Sequence, residues 1–188
     1  NTTGSSNVAV GKDALTATTT GANNTALGHQ SLYLNTTGGD NTATGFQVLY
    51  NNTTGSYNTA SGQTALHVNT TGSYNTATGH HSLYANTTAS NNTAVGYGTL
   101  RFNTTGANNT ALGNQSLYAN TTGTGNVAVG KSAMLVNTTG NYNVAIGEGA
   151  LDANTSAADN TAVGSFNSGA NTTGSQNTSV GYAAFSTN

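Results

Sequence analysis

The sequence predicts an all-β fold, a parallel β-solenoid (β-roll) of about eleven 17-residue rungs, and three observations predict it. A segment Asn-Thr/Val-Ala-x-Gly, with Ser once replacing Ala, begins at Asn7, Asn24, Asn41, Asn58, Asn75, Asn92, Asn109, Asn126, Asn143, Asn160 and Asn177, always 17 residues apart. A helical hairpin repeat needs about 30 residues or more, so this period leaves room for a single coil. Pro is absent, as expected of a chain in which every rung takes part in a hydrogen-bonded ladder.

Numbered from its first Asn, the repeat reads N-T-A-x-G-x-x-x-L-Y-x-N-T-T-G-x-x. Positions 2 and 4 are mostly β-branched or apolar (Val8 and Val10, Thr25 and Leu27, Val144 and Ile146), which predicts a strand with 2 and 4 inward and position 3 outward. Gly fills position 5 in all eleven copies and marks a turn. Positions 9 and 11 (Leu32 and Leu34, Leu66 and Val68, Met134 and Val136) predict a second extended run, so that two narrow sheets enclose the core. The N-T-T-G run at positions 12 to 15 forms the second turn, with Ala89 and Ala157 the exceptions to its Gly. Rungs stacked about 4.8 Å apart make a rod roughly 50 Å long. The chain is thus one array over residues 1–188: a partial rung 1–6, full rungs from 7, 24, 41, 58, 75, 92, 109, 126, 143 and 160, and a partial rung 177–188. The matching phase at its two ends predicts a piece cut from a longer array.

Columns of like residues explain the composition. Asn, Thr and Gly make up 91 of 188 residues, because polar turn side chains gain partners from rung to rung. Charge is scarce, 3 Lys and Arg against 5 Asp and Glu, since like charges one rung apart repel. Lys131 and Glu148, in position 6 of successive rungs, are expected to pair. Strict order along the chain argues against disorder. Without Cys there is no disulfide and no thiolate zinc site. Three basic residues cannot neutralise a phosphate backbone, so no nucleic acid is expected as a partner. No apolar run is long enough for this segment to insert in a membrane, and any targeting segment is expected outside this piece.

A rung offers few apolar side chains against the cost of ordering 17 residues, about 1–2 kcal/mol each for the backbone alone. A solvent-facing file should drift in identity, yet position 3 is Ala9, Ala26, Ala43, Ala60, Ala77, Ala94, Ala111, Ala128, Ala145 and Ala162. Read as an outward close-packing file, these residues predict a homo-oligomer of rods, most simply a trimer. The competing reading is that Ala suits a cramped rung.

Units such as N-V-A-V-G-K at Asn7–Lys12 and N-V-A-I-G-E at Asn143–Glu148 resemble the head repeats of trimeric autotransporter adhesins (YadA-like heads). The L-Y-x-N-T-T-G unit at Leu32–Gly38, Leu83–Thr88 and Leu117–Gly123 is similar to shaft repeats of bacterial surface fibres and phage tail fibres. The adhesin head unit is shorter, near fourteen residues. The resemblance spans the whole chain and implies trimeric β-rolls in an extracellular fibre on a bacterial cell surface or a virion tail.

Little in the sequence suggests chemistry. Asp13, Asp40, Asp152, Asp159 and Glu148 form no repeated pair, Gly38-Gly39-Asp40 is too short to be a calcium repeat, and no nucleophile motif links Ser, His and Asp. His29 and His80 share position 6 but lie three rungs apart, beyond the reach of one metal, and His81 follows in position 7. No enzyme, cofactor or metal is expected. Position 10 reads Tyr33, Tyr50, His67, Tyr84, Arg101 and Tyr118 in consecutive rungs, a stripe suited either to a glycan receptor or to a seam between chains; Tyr57 and Tyr74 should stack likewise. The N-T-T tripeptides at Asn35, Asn52, Asn69, Asn86, Asn103, Asn120 and Asn137 match the glycosylation acceptor pattern, with a bonded turn as the simpler alternative. Functionally the sequence predicts a structural and adhesive fibre segment. Two rivals are an ice-binding solenoid with Thr ladders and a curli-like amyloid stacked through its open edges.

Overall fold

The computed structural model describes residues 2–185, so the expected array is traced except for positions 1 and 186–188, which lie outside the described residues. Eleven three-residue strands, from β1 (Val8–Val10) and β2 (Thr25–Leu27) to β11 (Thr178–Val180), recur every 17 residues. Each pairs in parallel with the next, forming one sheet in sequence order. The register never slips: Ala26 pairs with Ala43, Ala43 with Ala60 and Ala60 with Ala77. One coil of solenoid therefore corresponds to one copy of the repeat, and the fold is the parallel β-solenoid that the period predicts.

The expected second sheet is absent among the described residues. Positions 6 to 11 form turns instead, although they still bond from rung to rung: Leu32 N donates to Val48 O at 3.0 Å and Leu34 N to Tyr50 O at 3.0 Å. The reason lies in the backbone. Positions 7 and 9 both have positive φ, as in Gln30 (55°), Leu32 (51°), His81 (59°) and Leu83 (49°), which breaks the alternation a strand requires. A left-handed conformation costs a non-glycine residue about 1–2 kcal/mol, and burying a Leu side chain returns about 1.5–3 kcal/mol. Leucine at position 9 is fully buried from Leu32 through Leu117, so its packing offsets its backbone.

The strand faces are also the reverse of the expected ones. Position 3 points inward: Ala26, Ala43, Ala77, Ala94, Ala111, Ala128 and Ala145 are completely buried, and Ala60 and Ala162 nearly so. Only Ala9, in the first rung, is exposed. Positions 2 and 4 face out. The coil is so tight that the Leu of position 9 leaves room only for a methyl group opposite it. The two polar residues of these columns occur together. Ser168 replaces Leu at position 9, Ser179 replaces Ala at position 3 of the following rung, and their hydroxyls lie 2.7 Å apart across the core. Asn167 completes that polar cluster, accepting from Ser179 Oγ at 2.6 Å.

Two buried asparagine columns flank the apolar core. Along position 1, Asn41 donates its backbone N–H (3.0 Å) and Nδ2 (3.1 Å) to Asn24 Oδ1, and the next rungs repeat this. Along position 12, Asn52 Nδ2 donates to Asn35 Oδ1 at 2.8 Å, and the column runs unbroken to Asn154. Both columns converge on one acceptor, since Asn41 Nδ2 and Asn52 Nδ2 each reach Gly55 O at 2.9 Å. Position 13 closes the turn. Thr53 O receives Thr36 N (2.9 Å), Thr37 N (3.1 Å), Gly38 N (3.3 Å) and the Thr36 hydroxyl (3.0 Å). Gly at position 5 is required twice over. Its φ, +127° at Gly79, lies outside the left-handed basin open to other residues, and a Cβ there would strike the carbonyl of Gly96 in the next rung.

Candidate functional site

Three surfaces can be compared as sites: the N-T-T-G turns, the aromatic flank and the outer face of the sheet. The asparagines of the turns are closed to modification. Asn35, Asn69, Asn86, Asn103, Asn120 and Asn137 are all 0 % exposed, and their side-chain nitrogens are committed within the coil. Asn69 Nδ2, for example, donates to Asn52 Oδ1 at 2.7 Å and to Gly72 O at 2.9 Å. The glycosylation reading of these residues, and of Asn52, is thereby corrected: the nitrogen that would carry a glycan is buried and bonded.

The aromatic flank is a single stack along the rod. Ring centroids lie 5.0 Å apart for Tyr33 and Tyr50, 5.2 Å for Tyr50 and His67, and 5.3 Å for His67 and Tyr84, with interplanar angles of 15°, 14° and 1°. Beyond Tyr84 the pattern changes. Arg101 lies 5.4 Å from the Phe102 ring and 5.9 Å from the Tyr118 ring, and its Nη1 donates to Tyr118 Oη at 3.4 Å. The faces on which a sugar would stack are therefore covered by neighbouring rungs, leaving ring edges and phenol oxygens outward. Tyr57 and Tyr74 stack at 4.9 Å and 5° on the exposed turn. His81 lies 3.8 Å from His80 and edge-on to Tyr84. Burial pushes its pKa below the usual histidine value, and the nearby His80, Arg101 and His67 push it further the same way. His29 stacks on Phe46 at 5.4 Å.

No three His, Asp or Glu side chains come together to hold a metal among the described residues. Burial raises the pKa of Asp152, against the backbone hydrogen bonds that favour its charged form. Lys131 Nζ meets Glu148 Oε1 at 3.0 Å as expected, an exposed pair of little energetic consequence. No helix is long and apolar enough to cross a membrane among the described residues.

The outer sheet face was not anticipated, because its side chains were assigned to the core. Position 2 contains only Thr and Val, and position 4 only Val, Leu, Ile, Thr and Ser. All eight charged residues occupy positions 6, 7, 10 and 17, and none lies on this face. Yet it is open: Val8, Val10, Leu27 and Ile146 are 53, 54, 48 and 40 % exposed. The hydroxyls on it also differ from those at position 13. Thr36, Thr53 and Thr70 each donate to the carbonyl one rung on. Among the described residues, Thr42, Thr44, Thr59, Ser61, Thr76 and Thr78 use their hydroxyls in no hydrogen bond within the chain. A clue was present in the sequence. Positions 1, 3 and 12 hardly vary between copies and lie inside, although the equally constant Thr of position 14 is exposed.

Compared with known proteins, the chain matches no protein family, no curated protein and no solved structure.

Proposed function

We propose that this chain is a stiff segment of an extracellular fibre, on a bacterial surface or a virion tail, in which identical rods pack through their uncharged sheet faces. One observation carries the reading: an open face, eleven strands long, built wholly from Thr, Ser, Val, Leu and Ile. A solvent-facing sheet is expected to carry charged side chains that keep copies apart, and contiguous apolar patches mark interaction sites. The face measures about 50 by 10 Å, on the order of 500 Å² a copy, which two copies bring to the ~1,000 Å² expected of a specific interface. With position 4 nearest a three-fold axis, like residues of three copies meet along it. The close-packing role thus moves from the buried alanines to their flanking residues. Repetition sets reach, in-register ladders set stiffness, and the varied flank with Tyr33, Tyr50, His67, Tyr84, Arg101 and Tyr118 repeats weak contacts to a surface or glycan receptor, so that they add by avidity. Sedimentation equilibrium tests the packing: three times the 18.7 kDa chain mass is expected, and a monomer at micromolar concentration would overturn it.

A second reading, ice binding, is favoured by the placement of Thr42 with Thr44 and Thr76 with Thr78 on one outward face, their hydroxyls unbonded at rung spacing. Thermal hysteresis from a monomeric rod would establish it. Its absence, with a trimer, leaves the packed rod.

A further inference from the structure

The two outward columns are not equivalent. Position 2 mixes Thr and Val along the rod. Position 4 is aliphatic at Val10 and Leu27, then Thr44, Ser61 and Thr78 in three consecutive rungs, then aliphatic again at Val95, Leu112, Val129, Ile146, Val163 and Val180. These three are the only polar side chains of that column. They form one contiguous band, and none is used inside the chain among the described residues.

We infer that Thr44, Ser61 and Thr78 set the register between packed parallel copies, favouring the unstaggered arrangement over those slid along the rod. The inference rests on the packed-rod reading. Hydrophobic contact alone is a poor guide to alignment, because aliphatic rungs about 4.8 Å apart are nearly interchangeable and a rod could slide by whole rungs at little cost. A hydroxyl is different: buried opposite another hydroxyl it gains a partner, and buried opposite an aliphatic side chain it loses water for nothing. With copies parallel and level, Thr44 meets Thr44, Ser61 meets Ser61 and Thr78 meets Thr78. Sliding one copy by three rungs would set them against Val95, Leu112 and Val129. Buried polar groups fix register and partner number in coiled coils by the same means, sacrificing some stability for alignment.

The absence of Cys permits a clean test by disulfide crosslinking. Chains carrying Leu112→Cys and chains carrying Val163→Cys, one of them size-tagged, are co-expressed and oxidised. Both sites lie outside the band, three rungs apart. Same-site crosslinks are expected to exceed mixed crosslinks at least tenfold. In the Thr44→Val/Ser61→Val/Thr78→Val background the chains should still associate, with mixed crosslinks rising to match same-site ones. If the triple variant keeps the tenfold preference, or the unaltered face never shows one, the register role is overturned while association stands. A monomer in sedimentation that forms neither crosslink overturns the packed rod and the register role together.

Discussion

At the scale of a residue, the coil depends on carboxamides in columns. Asn86 Nδ2 donates to Asn69 Oδ1 (2.8 Å) and Ala89 O (3.0 Å), while its Oδ1 accepts from Asn103 Nδ2 (3.0 Å). Asp would keep the acceptor, lose both donors and bring charge into a dry column. Asn86→Ala should therefore lower stability by about 2–4 kcal/mol, through an orphaned Asn103 N–H and a small cavity, read as a fall in the urea midpoint of the rod. An unchanged midpoint would mean that the column is ornamental. His81 makes a pH-dependent contribution of definite sign. Its folded pKa is lowered, by burial first and then by His80, Arg101 and His67, so the unfolded chain binds the proton more readily. Stability should then be greatest above about pH 6.5, the ordinary histidine value, and fall as the pH drops through it. Denaturation midpoints of the native chain and of His81→Gln between pH 7.5 and 5 check this, with the smaller fall expected for the variant.

At the scale of an element, the strand shows what could be read from sequence. The period, the parallel stacking and the one-coil-per-copy register were legible because they follow from spacing alone, and the stacked Tyr57 and Tyr74 followed with them. Facing was not legible from hydrophobicity. Val8, Leu27 and Ile146 look like core residues and Ala like surface, but in so tight a coil volume decides: the buried Leu of position 9 fills the interior and only Ala fits across from it. The missing second sheet has a related cause, since left-handed residues such as Leu83 and Leu100 bring a bulky side chain inward where an alternating strand could not. Invariance between copies marked the interior at positions 1, 3 and 12 but not at position 14, whose constant Thr is exposed. The paired polar residues Ser168 and Ser179 also mark the interior, each being possible because the other changed. If Ala94 is a core residue, Ala94→Leu should destabilise the fold itself by about 1–3 kcal/mol through overpacking, with loss of β circular dichroism at lower urea. A variant that keeps its midpoint and loses only association would restore the outward assignment.

At the scale of the whole molecule, one side of the rod is uniform and uncharged while the opposite flank varies from rung to rung. That division suits a fibre in which one surface is hidden by neighbours and another meets the surroundings. It was invisible in the sequence until the strand faces were known, because the glycan stripe and the N-T-T turns drew attention to positions whose ring faces and side-chain nitrogens prove to be occupied. The most direct test is the solution mass, by light scattering, of Val95→Lys beside a control, Thr105→Lys, whose charge sits on the exposed turn. Both should keep native circular dichroism. The control should keep the oligomer mass, and Val95→Lys should fall to a single chain. A Val95→Lys protein with the oligomer mass intact would show that the sheet face is not where copies meet.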